Sequence, residues 1–176
     1  MDLRSKLGDI TFCSLDLETT GVNPAIDKIV EIGVSRFNMN GLFETFSTLV
    51  DPGVLMSPAV VNIHGITDAM VAGAPVIDDV LDDLRGFINN SIPVIQNPRF
   101  DLSFLSRAYS NAGKKPPILS AIDTVRLAQK YFTSLPNHKL PTLASHLGLK
   151  LFSHRALDDS IACMKVFLAV IRGRGL

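Results

Sequence analysis

Residues 14–21 read SLDLETTG, an apolar segment interrupted at alternate positions by Asp16 and Glu18. Successive side chains of a strand point to opposite faces, so both carboxylates fall on one side of it. Residues 10–17 read as a first strand that carries charge towards its own end. Outward from it, residues 28–37 (KIVEIGVSRF) and 41–50 (GLFETFSTLV) read as second and third strands, bounded by Gly, Asn, Pro and Asp turn signals. Connections this short favour antiparallel neighbours. Residues 76–88 place Val76, Ile77, Val80, Leu81, Leu84, Phe87 and Ile88 at helical spacing, with four aspartates on the other face. A short buried strand follows at 92–96, then a helix opening at Pro98, where proline suits a first turn. Further helices are expected at about 123–131, 141–147 and 156–171. Three strands followed by helices alternating with one or two short strands describe an α/β domain with a mixed sheet.

The 176 residues fit a single domain, 1–176, large enough to bury a core without staples. Apolar residues make up 47% and charged residues 19%, with no repeat or charge block, which argues against disorder and solenoids. The apolar run from Ile161 to Ile171 is broken by Lys165 and is too short to cross a bilayer, so no membrane partner is expected. The start, MDLRSKLGDI, lacks the marks of a secretory signal, and Cys13 and Cys163 lie in apolar segments without a disulfide framework. A reducing, cytoplasmic home is the expectation. Net charge is zero, yet residues 1–88 hold 5 Lys/Arg against 13 Asp/Glu while residues 89–176 hold 12 against 4. A chain divided in this way can offer a basic surface for phosphates and an acidic pocket for cations.

Two carboxylates at the end of an apolar strand are costly to desolvate unless a cation, a partner or water offsets the cost. Alone, the D-x-E pattern is weak. It gains weight from NPRFDLSFL at 97–105 and HRALDDS at 154–160. With KIVEIGV, LVDP, IHGITD at 63–68, IDTVRLA at 122–128, LPTLASHLGL and the final H-x-x-x-x-D, in that order over nearly the whole chain, the sequence resembles the DnaQ-like (DEDDh) 3′-to-5′ exonuclease family, whose members include polymerase proofreading subunits. The resemblance implies a ribonuclease H-like mixed β-sheet flanked by α-helices. It also implies that Asp16, Glu18, Asp101 and Asp159 hold two divalent cations, Mg²⁺ or Mn²⁺, and that His154 is the general base. Hard oxygen ligands suit those cations, and a pair of them can stabilise both the attacking and the leaving oxygen of a phosphodiester. Imidazole suits proton acceptance near neutrality. Glu18 with Thr19 and Thr20 is expected to hold the terminal 3′-OH, and His64 to lie beside the terminal base. His154 stands five residues before Asp159, which fits the histidine class; the tyrosine of the related class would fall at Arg155.

The sequence departs from the family at Gln96-Asn97, where His-Asn is usual, so a charged imidazole there is ruled out. Asp158 reads as a solvated charge at a helix start, and Asp78, Asp79, Asp82 and Asp83 as the polar face of a helix whose N-terminus favours negative charge. His138 and His146 carry no motif context. Phe100, Arg99, Lys114, Lys115, Lys139, Lys150 and Arg155 are candidates for a strand-tracking surface. The DLETTG form leans towards the 3′ end of single-stranded DNA over RNA. The chain stops soon after its last helix, which reads as a stand-alone nuclease or a subunit loosely recruited to a DNA polymerase. The rival readings are an exoribonuclease trimming tRNA ends or oligoribonucleotides, and a non-catalytic nucleic-acid-binding module. All five catalytic positions being present argues against the last.

Overall fold

The computed structural model describes residues 10–150 and 154–173. The two chain ends, on which the secretory and tail readings rest, lie outside the described residues. Among those described, β1 (Phe12–Thr19), β2 (Ile29–Asn38), β3 (Gly41–Leu49), β4 (Ile92–Ile95) and β5 (Ile122–Asp123) form one sheet in the order β3-β2-β1-β4-β5. The first three strands pair antiparallel, whereas β4 joins β1 and β5 joins β4 in parallel. Parallel pairing requires crossovers. They are supplied by α1 (Pro58–His64), α2 (Asp68–Val71) and α3 (Ile77–Ile88) before β4, and by α4 (Arg99–Asn111) before β5. Helices α5 (Thr124–Tyr131), α6 (Leu140–His146) and α7 (Ala156–Arg172) follow. This is the mixed sheet flanked by helices that the sequence pattern anticipates.

Strand alternation sorts β1 into two faces. Cys13, Leu15 and Leu17 pack with Val80, Leu81 and Leu84 of α3 and with Phe104 and Leu105 of α4. On the opposite face Phe12 meets Phe37 and Phe167, with ring centroids 5.4 and 5.0 Å away, under α7. Asp16 and Glu18 share that second face, so the carboxylates point towards the last helix. The helices α1 and α2 are not among those that the sequence pattern predicts. Their signals are local: Pro58 follows Ser57 at the start of α1, and Gly65 closes it in a left-handed conformation (φ 72°). Seven residues with Ile63 exposed give too little periodicity to read as a helix. No helix among the described residues is long and apolar enough to cross a membrane.

One glycine decides how α7 docks. Gly33 pairs with Asp16 across β1 and β2, and a Cβ there would lie 2.1 Å from Leu157 N and 2.2 Å from Ala156 C. The obstacle is helix backbone, which cannot rotate away as a side chain can. Gly33→Ala is therefore expected to lower folding stability by about 3 kcal/mol through overpacking. A denaturant midpoint unchanged from that of the parent protein would show that α7 can shift at no cost.

Candidate active site

β1 runs past β4: the two strands pair only from Phe12 to Ser14. Beyond that point the β1 edge facing α4 has no strand to satisfy it, and Asp101 takes the place of one. Its Oδ1 accepts the Leu17 N–H at 3.1 Å. This bond ties the first turn of α4 to the strand between Asp16 and Glu18. Asn97, in a left-handed conformation (φ 54°), turns the chain into α4 just ahead of Pro98. Asp123 Oδ1 accepts N–H groups from both Asn97 (3.3 Å) and Val125 (2.9 Å), so one carboxylate caps α5 and holds the turn.

α7 brings Asp159, and the turn leading into it brings His154. Ligand atoms of Glu18, His154 and Asp159 all lie within 4.8 Å of one another, the spacing of a cation site. Asp16 and Asp101 line the same open cleft of 530 Å³, together with Gln96, Phe100, His138 and Lys139. Tertiary folding thus brings together all five residues singled out as catalytic, from three separate parts of the chain.

The electrostatics are those of crowded carboxylates in a buried setting. Burial, and then the charges of Asp101, Asp159, Glu18 and Glu31, hold the Asp16 carboxyl well above its ordinary value. Burial followed by Asp159 and Glu31 pushes Glu18 up to about 8. Asp101 rises to about 7 through burial, against the opposing pull of its backbone N–H bonds. Asp159 rises to about 6, chiefly by burial, with His154 opposing. Carboxylates so crowded fit hard divalent cations, which replace the missing hydration with charge.

Several expectations change in detail. Thr20 donates its N–H to Lys28 O (2.8 Å), and its hydroxyl accepts from Lys28 N (3.0 Å), so Thr20 closes the β1–β2 loop. Thr19 is buried beside Glu18, where the β1–β2 register shifts. His64 is buried at the end of α1 and lies outside the residues lining the cleft. Its Nδ1 accepts the Ile66 N–H at 3.0 Å, which fixes the turn, and burial lowers its pKa. Arg155, one of the strand-tracking candidates, forms an ion pair with Glu31. Lys114 pairs with Asp82 at 2.8 Å, so part of the α3 acidic face serves to dock the end of α4. Of the strand-tracking candidates, Phe100 and Lys139 line the cleft.

Besides the task of Gln96, two participants escaped the sequence, His138 and Glu31. Gln96 donates from Nε2 to His138 O (2.9 Å) and accepts from the Thr124 hydroxyl. Its amide thereby joins β4, α5 and the loop bearing His138, a structural task that needs no charge. His138, left without a role, forms part of the cleft wall, with Nε2 3.1 Å from Phe132 O. Glu31 is the other. It sits in the KIVEIGV strand opposite Glu18, and its alternation with apolar neighbours could have exposed it.

Residues 13–167 match the RNase_T family, described as exonuclease. The DNA polymerase III subunit epsilon of Treponema pallidum is 36% identical over 165 residues, covering 92% of this chain and 77% of that protein. The DNA polymerase III PolC-type of Clostridium perfringens is 37% identical over 161 residues, which span 90% of this chain but 11% of the polymerase. Among solved structures, the nuclease domain of 3′hExo, a DEDDh family member bound to rAMP, superposes with a TM-score of 0.80 at 20% identity, covering 93% of this chain and 92% of that one. Exonuclease X in complex with 5′ overhanging duplex DNA gives 0.73 at 26% identity, covering 94% and 93%.

Proposed function

Because the chain belongs to the RNase_T exonuclease family of DEDDh nucleases, it is a phosphodiester-cleaving hydrolase, and we propose that it works from the 3′ end of single-stranded DNA, releasing nucleoside monophosphates. The family uses divalent metal ions. The reading assigns a pair of them, Mg²⁺ or Mn²⁺, to Asp16, Glu18, Asp101 and Asp159. The observation that carries it is the convergence of Glu18, His154 and Asp159 within 4.8 Å at the mouth of a cleft that Asp16 and Asp101 also line.

When bound, the cations would supply Lewis-acid stabilisation of the attacking water and of the departing 3′ oxygen. An imidazole nitrogen of His154 takes the proton of that water, a role suited to an exposed histidine at the cleft edge. Glu18 and the adjoining backbone of Thr19 border the terminal nucleotide, with Thr20 and His64 supporting that wall from the loop and from α1. Phe100 offers an apolar face for a base and Lys139 a charge for the backbone. We read the chain as a single exonuclease domain acting alone or recruited to a DNA polymerase, in keeping with the polymerase subunits among its relatives.

The test is a time course with matched 5′-labelled single-stranded DNA and RNA, Mg²⁺ or Mn²⁺, and Asp16→Asn as control. A ladder shortening from the 3′ end at least tenfold faster on DNA is expected. Equal or faster RNA trimming would assign the site to RNA, and binding without product would reduce the chain to a nucleic-acid-binding module.

A further inference from the structure

α7 begins without a cap of its own: Arg155 stands at the N-cap position, and its side chain makes no capping bond to the helix. The cap comes from another element. Glu31, a buried residue of β2, accepts the Ala156 N–H on Oε2 at 2.9 Å. The same carboxylate accepts Arg155 Nε on both oxygens, at 3.0 and 3.1 Å, and Nη2 on Oε1 at 2.6 Å. One carboxylate therefore neutralises a guanidinium and a helix N-terminus together. The residue immediately before this grip is His154, held in a left-handed conformation (φ 47°) that a non-glycine residue seldom adopts without being forced into it. That backbone runs directly into the fixed Arg155.

We propose that Glu31 and Arg155 form a clamp whose task is to aim the His154 imidazole at the cleft, which makes both of them positioning residues. The inference rests on the reading of His154 as the base. Asp159 is one turn further on, its N–H bonded to Arg155 O at 3.0 Å, and the start of α7 also rests on Gly33 through Ala156 and Leu157, so the clamp acts on the histidine beside it and on the first turn of the helix together. Planarity matters too: lysine cannot offer two nitrogens to one carboxylate in this way.

The chain has four histidines, so labelling imidazole carbons with ¹³C gives a spectrum in which His154 is assigned by comparison with His154→Ala. In Arg155→Ala and Glu31→Gln, the His154 signal is expected to move, with a smaller response from His64, which feels both charges, while those of His138 and His146 stay in place. Turnover should fall about 100-fold, with KM changed less than threefold. The double variant should be no slower than the slower single one, because both break the same contact. Millimolar guanidinium should restore part of the turnover of Arg155→Ala, and equal sodium chloride should not. If Glu31→Gln fails to fold, Arg155→Ala decides, since its side chain is 43% exposed. An unmoved His154 signal with turnover within threefold of the parent, or losses that multiply in the double variant, would overturn the clamp. Full turnover in His154→Ala would instead remove the base assignment, while the imidazole spectrum of Arg155→Ala still judges the clamp.

Discussion

Asp16→Asn is expected to cut metal-dependent cleavage by about 10⁴-fold, the scale seen when one member of an interdependent catalytic set is removed. The same variant should be more stable than the parent protein when metal is absent. Asp16 is opposed by burial and by four neighbouring carboxylates, and neutralising it relieves all of them. The pH dependence follows in sign. Glu18, Asp101 and Asp159 have folded values of about 8, 7 and 6, each above the ordinary carboxylate range. Between about pH 4 and pH 8 the folded chain holds protons that the unfolded chain has released, so folding weakens as pH rises across that window. Thermal melts in EDTA should show the parent losing at least ~5 °C between pH 5 and pH 8, given a few degrees per kcal/mol at this size. Mn²⁺ should recover that loss with release of protons, and recover more at pH 8 than at pH 5. A metal-free parent that gains stability towards pH 8 would mean that these carboxylates are not confined together.

The second expected result separates proton transfer from cation binding. His154→Ala should reduce turnover about 10³-fold, within the range that general base catalysis contributes, while the Mn²⁺-induced rise in melting temperature stays within 1–2 °C of the parent's. The asymmetry follows from the donor set: four carboxylates remain when the imidazole is removed, and hard cations prefer their oxygens. Calorimetric titration with Mn²⁺ beside single-turnover kinetics measures both quantities on one preparation. Wild-type rates would take histidine out of the mechanism; lost cation binding would make it a ligand instead.

Much of this site is legible before any coordinates, because its parts are encoded by local pattern. Alternation in SLDLETTG places Asp16 and Glu18 on one face, and β1 has them there. Helical spacing finds the apolar face of α3, with Val80, Leu81, Leu84 and Ile88 buried as expected. Proline at the opening of α4 places Asp101 in a first turn. The motifs before Asp101 and around Asp159 name the remaining partners. What stays hidden is whatever depends on a neighbour distant in the chain. Glu31 reads as one more charge in a strand until Arg155, 124 residues away, closes on it. Gln96 reads as a departure until its amide is seen spanning Thr124 and His138. Gly33 reads as one small residue in a strand until α7 lies on it.

Sequence alone thus determined the strands and the principal helices, since periodicity acts over a few residues at a time, while the proposed acidic ligands came from the family resemblance that the motifs carry. Tertiary structure alone decided that Leu17 lends its amide to Asp101, that α7 descends over Gly33, and that Glu31 rather than solvent receives Arg155. These are contacts between segments far apart in the chain, fixed by which surfaces can approach without a clash and which buried polar groups then require a partner.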